Sequence, residues 1–409
     1  MNWFTRMIGV QPEQRSVDVE TLNRIDEFGG TLGVLENYTG EKIDFKTALQ
    51  VSAVLACVRV ISEGVASLPI QVKEPDANGV MRLVDHDLNR LLNLAPNEWQ
   101  TGLEFREGLV LHAALQGNGY AYINRDGTGA VGELIPLEPS EVHVTEGRDH
   151  VPEYTLGDGK GNIVGRVDAR DVLHLRGPSY NGWEGFSPVK IAANAIGLSR
   201  AAERSQAALH KNGGRPGGLL STDEKLSGER IKQLAKQWKS AFSGSNQHKT
   251  AVLDAGMKFQ ALAMTGVDAQ HLETRRFQIE EVCRVFNVFP VMIMQSDKAS
   301  TYASAEAFFS SHLRHTLSPW LRRVESVFDR ALLDDDGPMC VKHDTGAAVF
   351  CLANLTDRGA FFRDAVETGI YTRNELRAME GLPPVPGGDE ILTPLNMQAG
   401  TSEGADDAA

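Results

Sequence analysis

Few residues in this sequence stand at a spacing that chemistry demands, and each such group also has a plain structural explanation. His312 and His315 lie three apart, so a helix would place both on one face where a metal could bridge them. Since no nearby Asp, Glu or Cys completes a ligand set, the pair reads as two helix-surface histidines, and no metal is expected. Gly127-Thr-Gly-Ala-Val-Gly132 has the glycine spacing of a dinucleotide loop. It lies between two strand-like segments rather than opening a helix, so it reads as a hairpin turn. Ser243-Gly-Ser-Asn-Gln-His-Lys-Thr250 ends like a phosphate loop, yet Ser243 and His248 occupy the places of its two glycines. Without them the backbone cannot wrap a phosphate. Asp334, Asp335 and Asp336 lack the alternating acids and terminal glutamate of a calcium loop and read as a solvated helix end. No Gly-x-Ser-x-Gly elbow is present, so no catalytic residue and no cofactor is assigned. Arg230, Lys232, Lys236 and Lys239 give one helix a basic face that could dock a partner or touch phosphates, as against a merely solvated face.

The elements that would position these residues are mixed, which gives an α+β fold class. Apolar positions Leu49, Val51, Val54, Leu55, Val58 and Ile61 follow helical spacing from Lys46 to Ala66, with Thr47 and Gln50 resembling a capping box. Residues 68–84 alternate around Asn78-Gly79 and predict a hairpin. A helix over Thr101–Leu115 precedes glycine-punctuated strands that continue to Leu175. At Ser187-Pro188 an N-cap and a first-turn proline start a long helix that should end near Asn212-Gly213-Gly214. A short strand at Gly218, a lysine-rich helix over Gly228–Phe242 and a hairpin from Thr250 make a small insertion. Leu272, Ile279, Val282, Cys283, Phe286 and Phe289 mark the next helix, stopped by Pro290. The helical pattern from Thr301 to Leu333 contains Pro319, which predicts a kink because it removes a donor and crowds the His315 carbonyl. Helices at about 356–368 and 372–380 precede an acidic Pro/Gly-rich tail, and residues 1–40 read as an arm that orders against a neighbour.

Composition narrows the function classes. The chain carries 54 acidic against 41 basic residues, a net charge of -13, which disfavours tight or sequence-specific DNA binding. A conduit that lets a polyanion slide is compatible with this, because it gains nothing from a strong positive clamp. Cys57, Cys283, Cys340 and Cys351 stand apart, so neither a disulfide framework nor a zinc knuckle is indicated. Apolar runs fall short of the roughly 18 residues of a membrane span, and the first residues lack the apolar stretch of a signal peptide, so neither membrane insertion nor export is expected.

Taken in order, several strings resemble the portal protein family of tailed bacteriophages, which also occurs in prophages and gene transfer agents, along about residues 44–396. They are Val51-Ser-Ala-Val-Leu-Ala-Cys-Val-Arg-Val-Ile-Ser62 with Ser67-Leu-Pro-Ile70, His86-Asp-Leu-Asn-Arg-Leu-Leu92 with Pro96-Asn97, and Gly117-Asn-Gly-Tyr-Ala-Tyr-Ile123. Asp171-Val-Leu-His-Leu175, Gly185-Phe-Ser-Pro188, Asn212-Gly-Gly-Arg-Pro-Gly-Gly218 and Leu317-Ser-Pro-Trp-Leu-Arg-Arg-Val-Glu325 follow. Thr372-Arg-Asn-Glu-Leu-Arg377 with Glu380-Gly-Leu-Pro-Pro384 ends the series.

The resemblance implies a portal fold in a ring, usually a dodecamer, at one capsid vertex. It implies a wing over 41–186 and 301–355, stem helices at 187–213 and 267–289, a clip at 214–266, a tunnel loop at 290–300 and a small crown with a tail at 356–409. The implied partners are double-stranded DNA, large terminase, the major capsid protein and a head-completion or adaptor protein, in a virion assembled in the host bacterial cytoplasm. Within the tunnel loop, Gln295, Ser296, Asp297, Lys298, Ala299 and Ser300 would face DNA, and the basic residues from Arg230 to Lys239 would serve docking at the clip. The alternative reading is a nucleic-acid-processing enzyme whose site is assembled from distant residues.

Overall fold

Local capping chemistry sets many of the helix boundaries. Asp44 accepts a hydrogen bond from the Thr47 backbone N–H at 2.7 Å and donates its own N–H to the Thr47 hydroxyl at 2.8 Å, a capping box that starts α1 (Phe45–Ala48). The chain then turns, and α2 (Ser52–Ala66) begins separately. The expected single helix from Lys46 with a Thr47/Gln50 box is thereby corrected: Asp44 stands one residue before the helix and captures Thr47 first. The computed structural model describes residues 40, 42–77, 79–147, 150–157, 163–211, 218–222, 227–241, 258–261, 267–295, 302–333, 337–344 and 355–392. The N-terminal arm, the triple aspartate at 334–336, the segment 243–250 and most of the hairpin expected from Thr250 lie outside these residues.

Strand β1 (Ile70–Pro75) pairs antiparallel with β2 (Met81–Leu83) across the turn at Gly79, as the sequence predicts. After α3 (Asp87–Asn93), a second capping box, Thr101 with Glu104, starts α4 (Gly102–Gln116). That helix ends on Gly117 at φ +88°, where a side chain would also collide with the backbone carbonyl of Phe186. Two three-stranded antiparallel sheets follow. One has the order β4 (Val131–Leu137), β3 (Asn118–Arg125), β8 (Val172–Arg176), and the other runs β5 (Val142–Glu146), β6 (Pro152–Gly157), β7 (Ile163–Val167). Tyr120, Leu137 and Val172 of the first meet Val142, Tyr154 and Leu156 of the second in one apolar cluster. The Gly127–Gly132 string is the β3–β4 turn, with the Asp126 carboxylate accepting from the Thr128 and Ala130 N–H groups.

Ser187 caps a first helical turn, α5 (Pro188–Ile191), that breaks at Ala192 before α6 (Ala193–Lys211). Strand β9 (Gly218–Ser221) pairs antiparallel with β10 (Lys258–Ala261), and α7 (Gly228–Ala241) stands between them in sequence. Helix α8 (Val267–Phe286) buries Gln278, Val282, Cys283 and Phe286. A 3-10 turn at Pro290–Ile293 leads on to α9 (Tyr302–His312), a π-helical stretch over Leu313–Leu317 and α10 (Ser318–Leu332). Where Pro319 predicts a kink, the helical ladder contains a π segment of five residues just before it. Leu321, Val324, Phe328 and Leu332 form the buried stripe of α10, which packs on β8 and on β11 (Cys340–His343).

Strand β11 closes the edge of the β1–β2 sheet, and its backbone is held by α10. Glu325 accepts from the His343 N–H at 3.0 Å and Asp329 accepts from the Val341 N–H. Carboxylates thus occupy strand donors that would otherwise invite another chain. The described residues from Asp344 onward belong to a second compact unit. Its helices are α11 (Leu355–Glu367) and α12 (Arg373–Met379), the latter opened by a Thr372/Glu375 capping box. There Asn374 exchanges hydrogen bonds with the Val385 backbone, accepting at 2.8 Å and donating at 3.1 Å.

A candidate nucleic-acid interface at the end of a helix pair

Helices α6 and α8 run together and are joined by Arg275, which donates to Gln206 at 3.0 Å and to Glu203 at 3.2 Å. The last turn of α8 closes by backbone bonding, with the Val288 N–H donating to the Cys283 carbonyl at 2.9 Å, while Asn287 takes the left-handed conformation at φ 53°. This places the end of α8 three residues before the Phe289 boundary expected from the sequence. Asparagine tolerates such a backbone better than most residues with a β-carbon.

From that point the chain is tied to the π-helical stretch between α9 and α10. The Asn287 side-chain amide donates to the His315 carbonyl at 2.9 Å, and the Thr316 hydroxyl donates to the Asn287 carbonyl at 2.6 Å. Proline at 319 has no N–H to offer the carbonyl four residues back, so Asn287 supplies the donor that the helix lacks. The turn beyond it projects Met294, 93% exposed at φ 64°, while the N–H of half-buried Gln295 donates to the Pro290 carbonyl at 3.0 Å. Gln295 is therefore the one member of the expected DNA-facing set within the described residues. Ser296, Asp297, Lys298, Ala299 and Ser300 lie outside them.

The expected clip residues divide. Arg230, Lys232 and Lys236 are exposed on α7, and Lys239 belongs to the same helix with its side chain outside the described residues. At about 100° per residue, Lys232 and Lys236 share a side, but Arg230 stands roughly 200° from Lys232. The four do not make one face, because a two-residue step crosses the helix. The histidine pair is corrected as well: His315 is exposed, whereas His312 is buried and burial pulls its imidazole below the ordinary range. The sequence reasoning missed Asn287 and Thr316 entirely. The signal available was an asparagine just past an amphipathic stripe and three residues before a proline.

The phage portal protein family model matches residues 52–381. The portal protein of Enterobacteria phage HK97 is 31% identical over 363 residues, covering 87% of this chain and 84% of the phage protein. The chain belongs to the phage portal protein family. The probable portal protein of Streptomyces phage phiC31 is 31% identical over 379 residues, with 88% and 81% of the two chains covered. Among solved structures, an HK97-family phage portal protein from Corynebacterium diphtheriae shares the fold at TM-score 0.57 and 17% identity, over 75% of this chain and 96% of its own. A chain in the neck of a native gene transfer agent particle, computed with C12 symmetry, matches at TM-score 0.56 and 25% identity, over 83% of this chain and 92% of its own length. The α+β class is thus that of portal proteins, a structural family rather than an enzyme family. No group of three or more His, Cys, Asp and Glu among the described residues could hold a metal, and no helix among them is long and apolar enough to cross a membrane.

Proposed function

We propose that this chain is the ring subunit at one capsid vertex, through which double-stranded DNA is packaged and ejected. The observation that carries the reading is the match across residues 52–381 together with two portal relatives that align over more than four fifths of both chains. The C12 symmetry of the similar particle neck supports a dodecamer. Helices α6 and α8 serve as the stem, with β9, α7 and β10 as the clip. Large apolar side chains on the stem, Leu198 at 48% and Phe277 at 57% exposure, suit packing between neighbouring copies. The clip docks the large terminase and later a head-completion or adaptor protein, the wing contacts the major capsid protein, and assembly takes place in the host cytoplasm.

The segment 290–300 is the tunnel loop in this reading. Its single lysine, Lys298, offers each subunit one phosphate contact, which ring symmetry repeats without creating a tight clamp. Native mass measurement with electron microscopy tests the ring, which is expected to close with about twelve subunits. A chain that stays monomeric with and without its capsid partners would overturn it. Lys298→Ala is expected to slow packaging while leaving the ring mass unchanged.

A further inference from the structure

A cleft of about 540 Å³ opens beside the end of β8, lined by Arg176, Gly177, Pro178, Ser179, Gly182 and Arg323. Both arginines are fixed by backbone carbonyls. Arg323 donates through Nη1 to the carbonyls of Arg176, at 3.3 Å, and Gly177, at 3.0 Å, and Arg176 donates through Nη1 to the Gly182 carbonyl. Arg323 also lies over the Trp320 ring, 5.9 Å from its centre. The remaining guanidinium nitrogens have no partner among the described residues, and no acid there pairs with either arginine. Burial lowers the Arg323 pKa, so its charge has lost hydration without gaining an opposite charge. An anion from outside the chain would restore that balance.

The loop beside the cleft is built to be rigid. Asn181 accepts from the N–H groups of Trp183 and Glu184, and the Ser179 hydroxyl accepts from the Gly182 N–H at 2.9 Å. Ser179 also pairs with Gly185 across the loop. This frame leaves Tyr180 81% exposed. Arginine, tyrosine and tryptophan gathered on a preorganised surface are the residue types that dominate protein interfaces.

We propose that the Arg176–Arg323 cleft receives an aspartate or glutamate side chain from the adjacent copy of this chain, with Tyr180 packing beside it. The inference rests on the ring reading, in which two different surfaces of each copy must meet. Charge complementarity fits a second copy: with 54 acidic residues against 41 basic ones, a neighbouring copy has carboxylates to offer, while the net negative charge of the chain works against holding a polyanion. A phosphodiester would use the same donors, so the test separates the two.

Arg176→Lys and Arg323→Lys are made in the full chain, assembled, and treated with a carbodiimide, which joins an amine to a carboxylate in contact by forming an amide as the urea leaves. Mass spectrometry of the peptides is expected to find the introduced amine bonded to an Asp or Glu of another copy, identified by mixing isotope-labelled and unlabelled chains. In parallel, Arg323→Gln is expected to raise the concentration needed for ring closure about tenfold. Circular dichroism of the same sample checks that the subunit stays folded. A closed ring whose only coupling is within one chain, or which shows none, overturns the proposal and leaves the ring reading standing. The proposal also falls, with the ring intact, if the glutamine variant assembles normally and loses only duplex DNA. A wild-type chain that never forms a ring overturns both.

Discussion

Asn287 donates its side-chain amide to the carbonyl of His315, the acceptor that Pro319 leaves unmatched within its own helix. The end of α8 and the π-helical stretch between α9 and α10 are therefore one hydrogen-bonded unit, completed by the Thr316 hydroxyl. Asn287→Gly should keep the left-handed backbone while removing the amide, at a cost of about 0.5 to 1 kcal/mol for a solvent-exposed hydrogen bond. In a Pro319→Ala background the helix regains an N–H of its own, so the same substitution should cost less. Urea unfolding of the four proteins in a double-mutant cycle measures the difference, and additive losses would deny the link.

Arg106 joins the ends of two helices. It is buried, and it donates to the Ala66 carbonyl at the end of α2, at 2.8 Å, and to the Leu92 carbonyl near the end of α3. Burial pulls its guanidinium down to about 10, still protonated at neutral pH, and the negative ends of two helices face the charge. Arg106→Ala should cost about 3 kcal/mol, because it strands both carbonyls. Arg106→Lys should recover little, since a single ammonium cannot fork between two acceptors. Thermal unfolding of both variants checks the order.

Local features were legible in part. The Ser187-Pro188 start and the Gly79 turn depend on residues within a few positions of each other and fall where the sequence puts them, whereas the expected Thr47/Gln50 box gives way to Asp44 with Thr47, and the Thr101/Glu104 and Thr372/Glu375 boxes were not read from the sequence. The Pro319 interruption was also predictable, because the missing donor is a property of one residue. Its π form was not, and neither was the Asn287 amide that reaches the His315 carbonyl from the end of another helix. The two-arginine cleft was equally hidden: Arg176 ends a strand and Arg323 sits on the polar side of a strongly amphipathic helix, and only packing of α10 on β8 brings them together. Of the expected DNA-facing residues, only Gln295 lies within the described chain, so the sequence order of the family strings carries that assignment.

Buried histidines and a half-buried carboxylate should make stability fall in separate acid windows, with His174 the main histidine and His312 lowered by burial in the same sense. His174 is held between the Tyr154 hydroxyl, 3.1 Å from Nδ1, and the Asn118 side-chain oxygen Oδ1, 3.0 Å from Nε2. Burial, helped by the charge of Arg176, depresses its pKa well below the ordinary 6.5. The unfolded chain therefore takes up a proton first, and stability should decline as pH falls below about 6.5. Burial pushes the Glu325 carboxyl up, but hydrogen bonds from His343 and the charge of Lys342 outweigh it and hold the group at about 2 against an ordinary 4.5. Its contribution is whole above about 4.5 and is lost on the way down to about 2. Unfolding free energy measured between pH 7 and pH 3 should show both declines. Glu325→Gln should shrink the lower one, which Asp44, Asp126 and Asp168 share because hydrogen bonds hold their carboxyls down as well, and leave the upper one unchanged.

Cys57 of α2 and Cys283 of α8 bring their sulfurs to 3.9 Å within the core, and both are buried thiols. Contact with Cys283 and burial push the Cys57 thiol far up, so it stays protonated and shielded at neutral pH. Neither sulfur should react with an alkylating reagent until the subunit opens, whereas half-buried Cys340 should label earlier. Alkylation timed against urea, read by peptide mass spectrometry, should show Cys57 and Cys283 labelling together at the unfolding transition, because one packing contact protects both. Labelling of Cys283 well before Cys57 would mean that α8 separates from α2 without global unfolding.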